Sequence, residues 1–107
     1  MATRPTKSQD LLPAELCGML GQPGIVLVDV REPAEYAAEH IPGAILHPLS
    51  SFNLDELPEG QLVFQCGTGA RSLNAMQRAI AAGLNNVAHL AGGLRAWKQA
   101  GMRTVPG

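Results

Sequence analysis

Apolar and polar positions along this chain change period several times. Residues 25–30, "IVLVDV", form an almost unbroken run of β-branched and aliphatic side chains, the pattern of a strand buried on both faces. Residues 61–65, "QLVFQ", read the same way, as do the shorter runs "AILH" at 44–47 and "NVAHL" at 86–90. Between these runs the period lengthens to that of a helix. Residues 12–20 predict a short helix with Pro13 at its first position and Gly21 just past its end. Residues 33–40 predict another that also opens with proline. Residues 71–82 place Leu73, Met76 and Ile80 on one face, with Gly83 as a C-terminal cap. Residues 93–100 form the last helix, with Leu94 and Trp97 three apart and Gly101 ending it. Residues 48–60 carry no readable period.

Strands that alternate with helices through short loops imply an α/β domain with a central, mostly parallel β-sheet flanked by helices. In such sheets ligands bind beyond the carboxyl ends of the strands. Cys66 and Asp29 both lie at such ends. The chain of 107 residues is read as one domain over 1–107, with 1–7 as a flexible polar extension. Eight Lys and Arg against nine Asp and Glu give a net charge of -1, with no basic surplus to hold nucleic acid or an anionic membrane surface. The longest uncharged run is too short to span a bilayer, and no apolar leader core follows the first residues. The expectation is a cytoplasmic protein, monomeric by default. Its two cysteines, Cys17 and Cys66, are not arranged as CxxC or with histidines at ligand spacing, so neither a metal site nor a structural disulfide is expected.

Cys66 stands in "FQCGTGARSL", between a strand and a helix. A free thiol is only a few per cent ionised at neutral pH, and three features of this loop favour the thiolate. The helix start supplies unpaired amides and the positive end of a dipole. Gly67 and Gly69 let successive N–H groups turn inward into an anion nest. Arg71 adds a positive charge. A core cysteine would need none of these, and the reactive reading is preferred to a small buried hydrophobe.

The loop resembles the active-site loop of the rhodanese family, a cysteine followed by glycine at the third position and Arg-Ser at the helix start. Two more segments carry the resemblance: "VDVREPAEYAAEHIPGA" at 28–44 and "LAGGLRAW" at 90–97. In order, the three cover nearly the whole chain. The resemblance implies a three-layer α/β fold and sulfur transfer without a cofactor. Cys66 would attack the outer sulfur of a donor such as thiosulfate, and the resulting persulfide would lie in the amides of Gly67, Thr68, Gly69, Ala70, Arg71 and Ser72. Small sulfur-containing anions would be the donors, and cyanide, a thiol or a protein would accept. Arg71 would orient the donor. Many active members carry a basic residue directly after the cysteine, where this chain has Gly67, which weakens the case for thiosulfate as donor more than for persulfide chemistry.

Two rivals share the fold. Phosphatases and arsenate reductases with rhodanese-like folds use C-x5-R, whereas Arg71 gives C-x4-R, a smaller cradle suited to one sulfur atom. Binding modules without turnover commonly lack the cysteine, which is present here. Asp29 either accepts from the active-site loop or, with Arg31, fastens the segment that follows, the structural role being preferred. His40 is assigned to its own turn, His47 and His89 to structural or surface positions, Glu35 and Glu39 to a solvated face, Trp97 to the core, and Cys17 to a buried, inert site with a resolving role as the alternative. Gly92 and Gly93 mark a tight turn.

Overall fold

The computed structural model describes residues 9–107, so the expected extension at 1–7 lies outside the described residues. Among these residues are five strands, β1 (Gln9–Leu11), β2 (Ile25–Asp29), β3 (Ile45–Leu46), β4 (Gln61–Gln65) and β5 (Ala88–Leu90), and four helices, α1 (Pro13–Met19), α2 (Pro33–Ala38), α3 (Ala70–Ala81) and α4 (Gly93–Gln99), which alternate except between β3 and β4. The strands form one sheet in the order β1-β5-β4-β2-β3, and every pairing is parallel. The α/β fold class read from the alternation is the one observed. Proline opens α1 and α2 as expected, because the first position of a helix needs no N–H.

Side chains of the inner strands point alternately to two cores. On one face Leu27, Val63, Ala88 and Leu90 pack with Leu16 of α1 and with Leu94 and Trp97 of α4. On the other, Val28, Leu62 and Phe64 pack with Ala75, Met76 and Ala79 of α3, and Cys66 belongs to this second core. Burial of each large side chain contributes roughly 1.5–3 kcal/mol, so the sheet is clamped from both sides and its carboxyl edge becomes a rigid platform.

Several local readings change. β1 is invisible to periodicity, because three residues with a central aspartate carry no strand pattern; its pairing with β5 makes it a strand. β5 begins at Ala88 rather than 86, since Asn86 takes φ 60, incompatible with extended backbone. α3 turns a different face inward than expected. Ser72, Ala75, Met76 and Ala79 are buried, whereas Leu73 and Ile80 are 38% and 36% exposed. Small side chains let this helix lie close over β4 and β5, and the bulkier Leu73 and Ile80 fall on its flanks. Gly83 caps it as predicted: its N–H reaches Ile80 O (2.9 Å), and Leu84 N–H reaches Ala79 O (3.0 Å), the paired bonds of a left-handed C-terminal turn. The unreadable stretch holds two 3-10 turns, Leu49–Ser51 and Leu54–Glu56, tied down by Leu49, Phe52, Leu54 and Leu57 against the second core.

Candidate active site

β4, the middle strand, ends by delivering Cys66 to the carboxyl edge of the sheet, and the chain must reverse there into α3. Gly69 makes the reversal at φ 109, and a Cβ there would stand 3.2 Å from the amide nitrogen of Gly92. Gly93 is tighter still. At φ 61, its Cβ would lie 2.5 Å from the carbonyl oxygen of Cys66. The two glycines bring the start of α4 against the loop, where Leu94 N–H donates to Cys66 O (2.8 Å) and Arg95 N–H to Gly67 O (3.0 Å). The Gln65 side-chain amide also donates to Cys66 O, at 2.7 Å. Its own Oε1 is buried with no hydrogen-bond partner among the described residues. Neighbouring donors thus hold the loop's carbonyl oxygens, and its N–H groups are left to face the sulfur.

Gly69 N–H donates to Cys66 Sγ at 3.1 Å and Ser72 N–H at 3.3 Å, with the Ser72 hydroxyl 3.5 Å away. Burial pushes the Cys66 thiol toward its neutral form. The Ser72 hydroxyl and the amides of Ser72, Gly69 and Thr68 outweigh that effect, so the thiol lies below its ordinary value of 9.0. The amides that act on the sulfur are those of Thr68, Gly69 and Ser72. Thr68 and Ala70 are exposed on the rim of the loop.

Arg71 is placed differently from expectation. Its guanidinium bonds both carboxylate oxygens of Glu35 on α2, at 2.8 and 3.1 Å. That pair first, and attraction to the Cys66 thiolate only as a lesser cause, raises the Arg71 pKa. Much of its charge is therefore already matched. Glu35, read as part of a solvated face, is half-exposed and also ion-paired: the Arg71 bonds hold its carboxyl down at about 2. Glu39 likewise bonds Lys98 and Thr104.

Asp29 and Arg31 take the structural alternative. Arg31 donates from Nε and Nη2 to the Asp29 carboxylate at 2.8–3.2 Å, and Nη2 continues to Glu39 O at 2.7 Å. His40 bonds Tyr36 O within its turn and stacks on the Tyr36 ring. Cys17, expected to be buried, is exposed: α1 turns Leu16 inward, which sets its neighbour toward solvent.

One site residue was missed. His89 is not isolated: its Nδ1 lies 2.8 Å from Ser72 Oγ, and its Nε2 lies 3.0 Å from Asp10 Oδ1. Strand register was the available signal. Asp10, His89, Phe64 and Val28 pair across four adjacent strands, so they share the face on which α3 lies.

No helix among the described residues is long and apolar enough to cross a membrane. The chain is 42% identical over 108 residues to an uncharacterized protein of Synechocystis, spanning 98% of this chain and 60% of that one. It is 37% identical over 102 residues to a probable adenylyltransferase/sulfurtransferase of Mycobacterium tuberculosis, 90% of this chain and 26% of that one. The chain thus spans less than two thirds of the length of either relative. Among solved structures, a thiosulfate sulfurtransferase from Pseudomonas aeruginosa superposes with a TM-score of 0.83 at 32% identity, over 97% of this chain and 20% of the other. The profile of the rhodanese-like domain matches residues 12–100. Because that match runs from the first helix through the last and takes in the whole cysteine loop, the chain belongs to the rhodanese-like domain family.

Proposed function

We propose that this protein is a sulfurtransferase that carries sulfane sulfur on Cys66. The observation that carries the reading is the set of neutral groups around a buried sulfur: two backbone N–H groups that donate to it within 3.3 Å and the Ser72 hydroxyl 3.5 Å away. Such dipoles stabilise negative charge without neutralising it, and so leave a nucleophile. The Cys66 thiolate attacks the outer sulfur of thiosulfate. An S–S bond forms to Cys66, the bond between the two sulfurs of the donor breaks, and sulfite leaves with the electron pair. The terminal sulfur of the Cys66 persulfide holds the negative charge, near the amides of Thr68, Gly69 and Ser72. Cyanide or a thiolate then attacks that sulfur, and the Cys66 thiolate returns. Each step is a two-electron displacement, and the protein itself supplies every group it uses. A reducing compartment such as the cytosol suits a thiol that must stay free between turnovers.

The sulfurtransferase names of the relatives support this reading over phosphoryl transfer. So does Arg71. The C-x4-R spacing gives a short loop, and the guanidinium that would grip a phosphoryl group is already bound to Glu35. Intact mass measured after incubation with thiosulfate should rise by one sulfur atom, fall back on addition of cyanide, and show no change in Cys66→Ser. A folded, reduced protein that gains no sulfur from thiosulfate or from a small-molecule persulfide would be a binding module instead. Turnover of an aryl phosphate should be negligible.

A further inference from the structure

The Cys66 residue is only 1% exposed, so its thiol has little direct contact with bulk water. A continuous line of polar atoms nevertheless runs from it to the surface. Sγ is 3.5 Å from Ser72 Oγ, Oγ is 2.8 Å from His89 Nδ1, and His89 Nε2 is 3.0 Å from an oxygen of Asp10. The His89 side chain is 6% exposed and that of Asp10 is 70% exposed, so the line ends in solvent. We propose that His89, oriented by Asp10, takes the Cys66 proton through the Ser72 hydroxyl, making the resting nucleophile one half of a serine-bridged thiolate–imidazolium pair. This rests on Cys66 being the nucleophile of the preceding section.

The donor count dictates the direction. A carboxylate only accepts, so the bond to Asp10 requires a proton on Nε2. Nδ1 is then bare in the neutral ring and accepts the single proton of Ser72, whose oxygen accepts from the thiol. When the thiol proton passes to Oγ, the serine's own proton passes to Nδ1. The S–H bond breaks, an N–H bond forms, and the serine emerges unchanged with its hydroxyl donating to the thiolate. No oxidant or reductant enters. Imidazole suits the task because it exchanges protons near neutral pH. Gly69 O, 3.2 Å from Ser72 Oγ, is the competing acceptor that an ionised sulfur must outbid.

Groups around the line are few. β1 supplies Asp10, the end of β4 supplies Cys66, and Phe64 lies beside His89 in register as an apolar wall. α3 supplies Ser72 and, at the same end, the charge of Arg71, which is held by Glu35. Among the described residues no other titratable side chain is hydrogen-bonded to Ser72 or His89. His89 is thus a positioning and proton-accepting residue rather than a structural histidine.

The test uses the full chain carrying Cys17→Ser, since exposed Cys17 would also react. The pH dependence of Cys66 alkylation by iodoacetamide reports the thiolate directly and needs no sulfur donor. His89→Gln should move the midpoint upward, cutting the thiolate about tenfold at the parent midpoint. Asp10→Asn should move it the same way by less. Within Ser72→Ala, His89→Gln should have no further effect, because the bridge is gone. In ¹⁵N histidine spectra, capping Cys66 with a neutral thiomethyl group should lower the His89 titration midpoint, the reciprocal of the same coupling. Circular dichroism checks folding, and Asp10→Asn, being on the surface, keeps the test decisive if His89→Gln unfolds. Unchanged midpoints in the folded variants, or a full His89→Gln effect persisting without Ser72, would overturn the relay. Sulfur loading with unaltered alkylation profiles would sink the relay alone; altered profiles without sulfur loading would sink the transferase reading alone.

Discussion

Two adjacent strands of the sheet end beside a buried acidic side chain, and they treat it in opposite ways. β2 ends at Asp29, in register with Gln65 at the end of β4, and Cys66 follows one residue later. The Asp29 carboxylate is fully buried and meets a guanidinium: Arg31 Nε and Nη2 bond both oxygens, and the Arg31 N–H adds a third donor at 3.0 Å. The Cys66 sulfur, nearly as buried, meets two amides and a hydroxyl, none of them charged. A fully matched anion is inert, and here it tethers the segment after β2 to Glu39 O. A sulfur whose direct hydrogen bonds come only from neutral groups keeps its lone pairs available. Charge type around the buried group, rather than burial itself, separates the fastener from the proposed nucleophile.

The largest effect is expected from breaking the fastener. Asp29→Ala leaves the Arg31 charge buried and unmatched, and should cost about 3–5 kcal/mol in a urea or thermal unfolding series. The fraction that remains folded should retain its Cys66 alkylation midpoint. Should that midpoint move in step with stability, the two strand ends would be one coupled site.

Gly93→Ala attacks the other end. A left-handed φ and a Cβ 2.5 Å from backbone atoms of Cys66 and Gly67 should cost roughly 2–4 kcal/mol. Because Leu94 and Arg95 hold the loop carbonyls, sulfur loading per folded molecule should fall as well, which distinguishes this variant from Asp29→Ala.

A smaller, pH-dependent effect belongs to Glu35. Its folded-state carboxyl sits at about 2 against an ordinary 4.5, so its contribution to stability is complete above the ordinary value and disappears as the pH falls toward the folded one. The gap in denaturation midpoint between the parent and Glu35→Gln should be constant above pH 4.5 and closed near pH 2. The same variant frees Arg71, so loading by dianionic thiosulfate should quicken more than loading by a neutral persulfide.

The smallest effect is expected at the other cysteine. Cys17→Ser should change stability by less than about 0.5 kcal/mol and leave sulfur loading intact. In the parent, Cys17 should be open to alkylation because it is exposed. Loss of loading in Cys17→Ser would restore the resolving role to it.

How legible each part was depended on how local its cause is. The long buried runs at β2 and β4, the prolines opening α1 and α2, and the glycines ending α3 and α4 are local signals, and the structure carries them at or near the expected positions. α3 was misread because Leu73 and Ile80 looked like its core face, whereas the surface it packs on admits only the small Ser72, Ala75 and Ala79 beside Met76. β1 exists only through its neighbour. Arg71 read as a free cation because its partner, Glu35, lies thirty-six positions away in sequence; Asp10 and His89 are seventy-nine apart.

By itself the amino-acid sequence determined the alternating α/β architecture, the strand end from which Cys66 emerges, and the glycines that let its loop close. These follow from hydrophobic period, turn chemistry and the special freedom of glycine, all of which act over a few neighbouring residues. Only the tertiary structure decided which charges cancel and which amides face the sulfur. It also joined Ser72 to His89 and Asp10. Those outcomes depend on atoms brought within about 3 Å by the stacking of strands and helices, and no short window of sequence contains both members of such a pair.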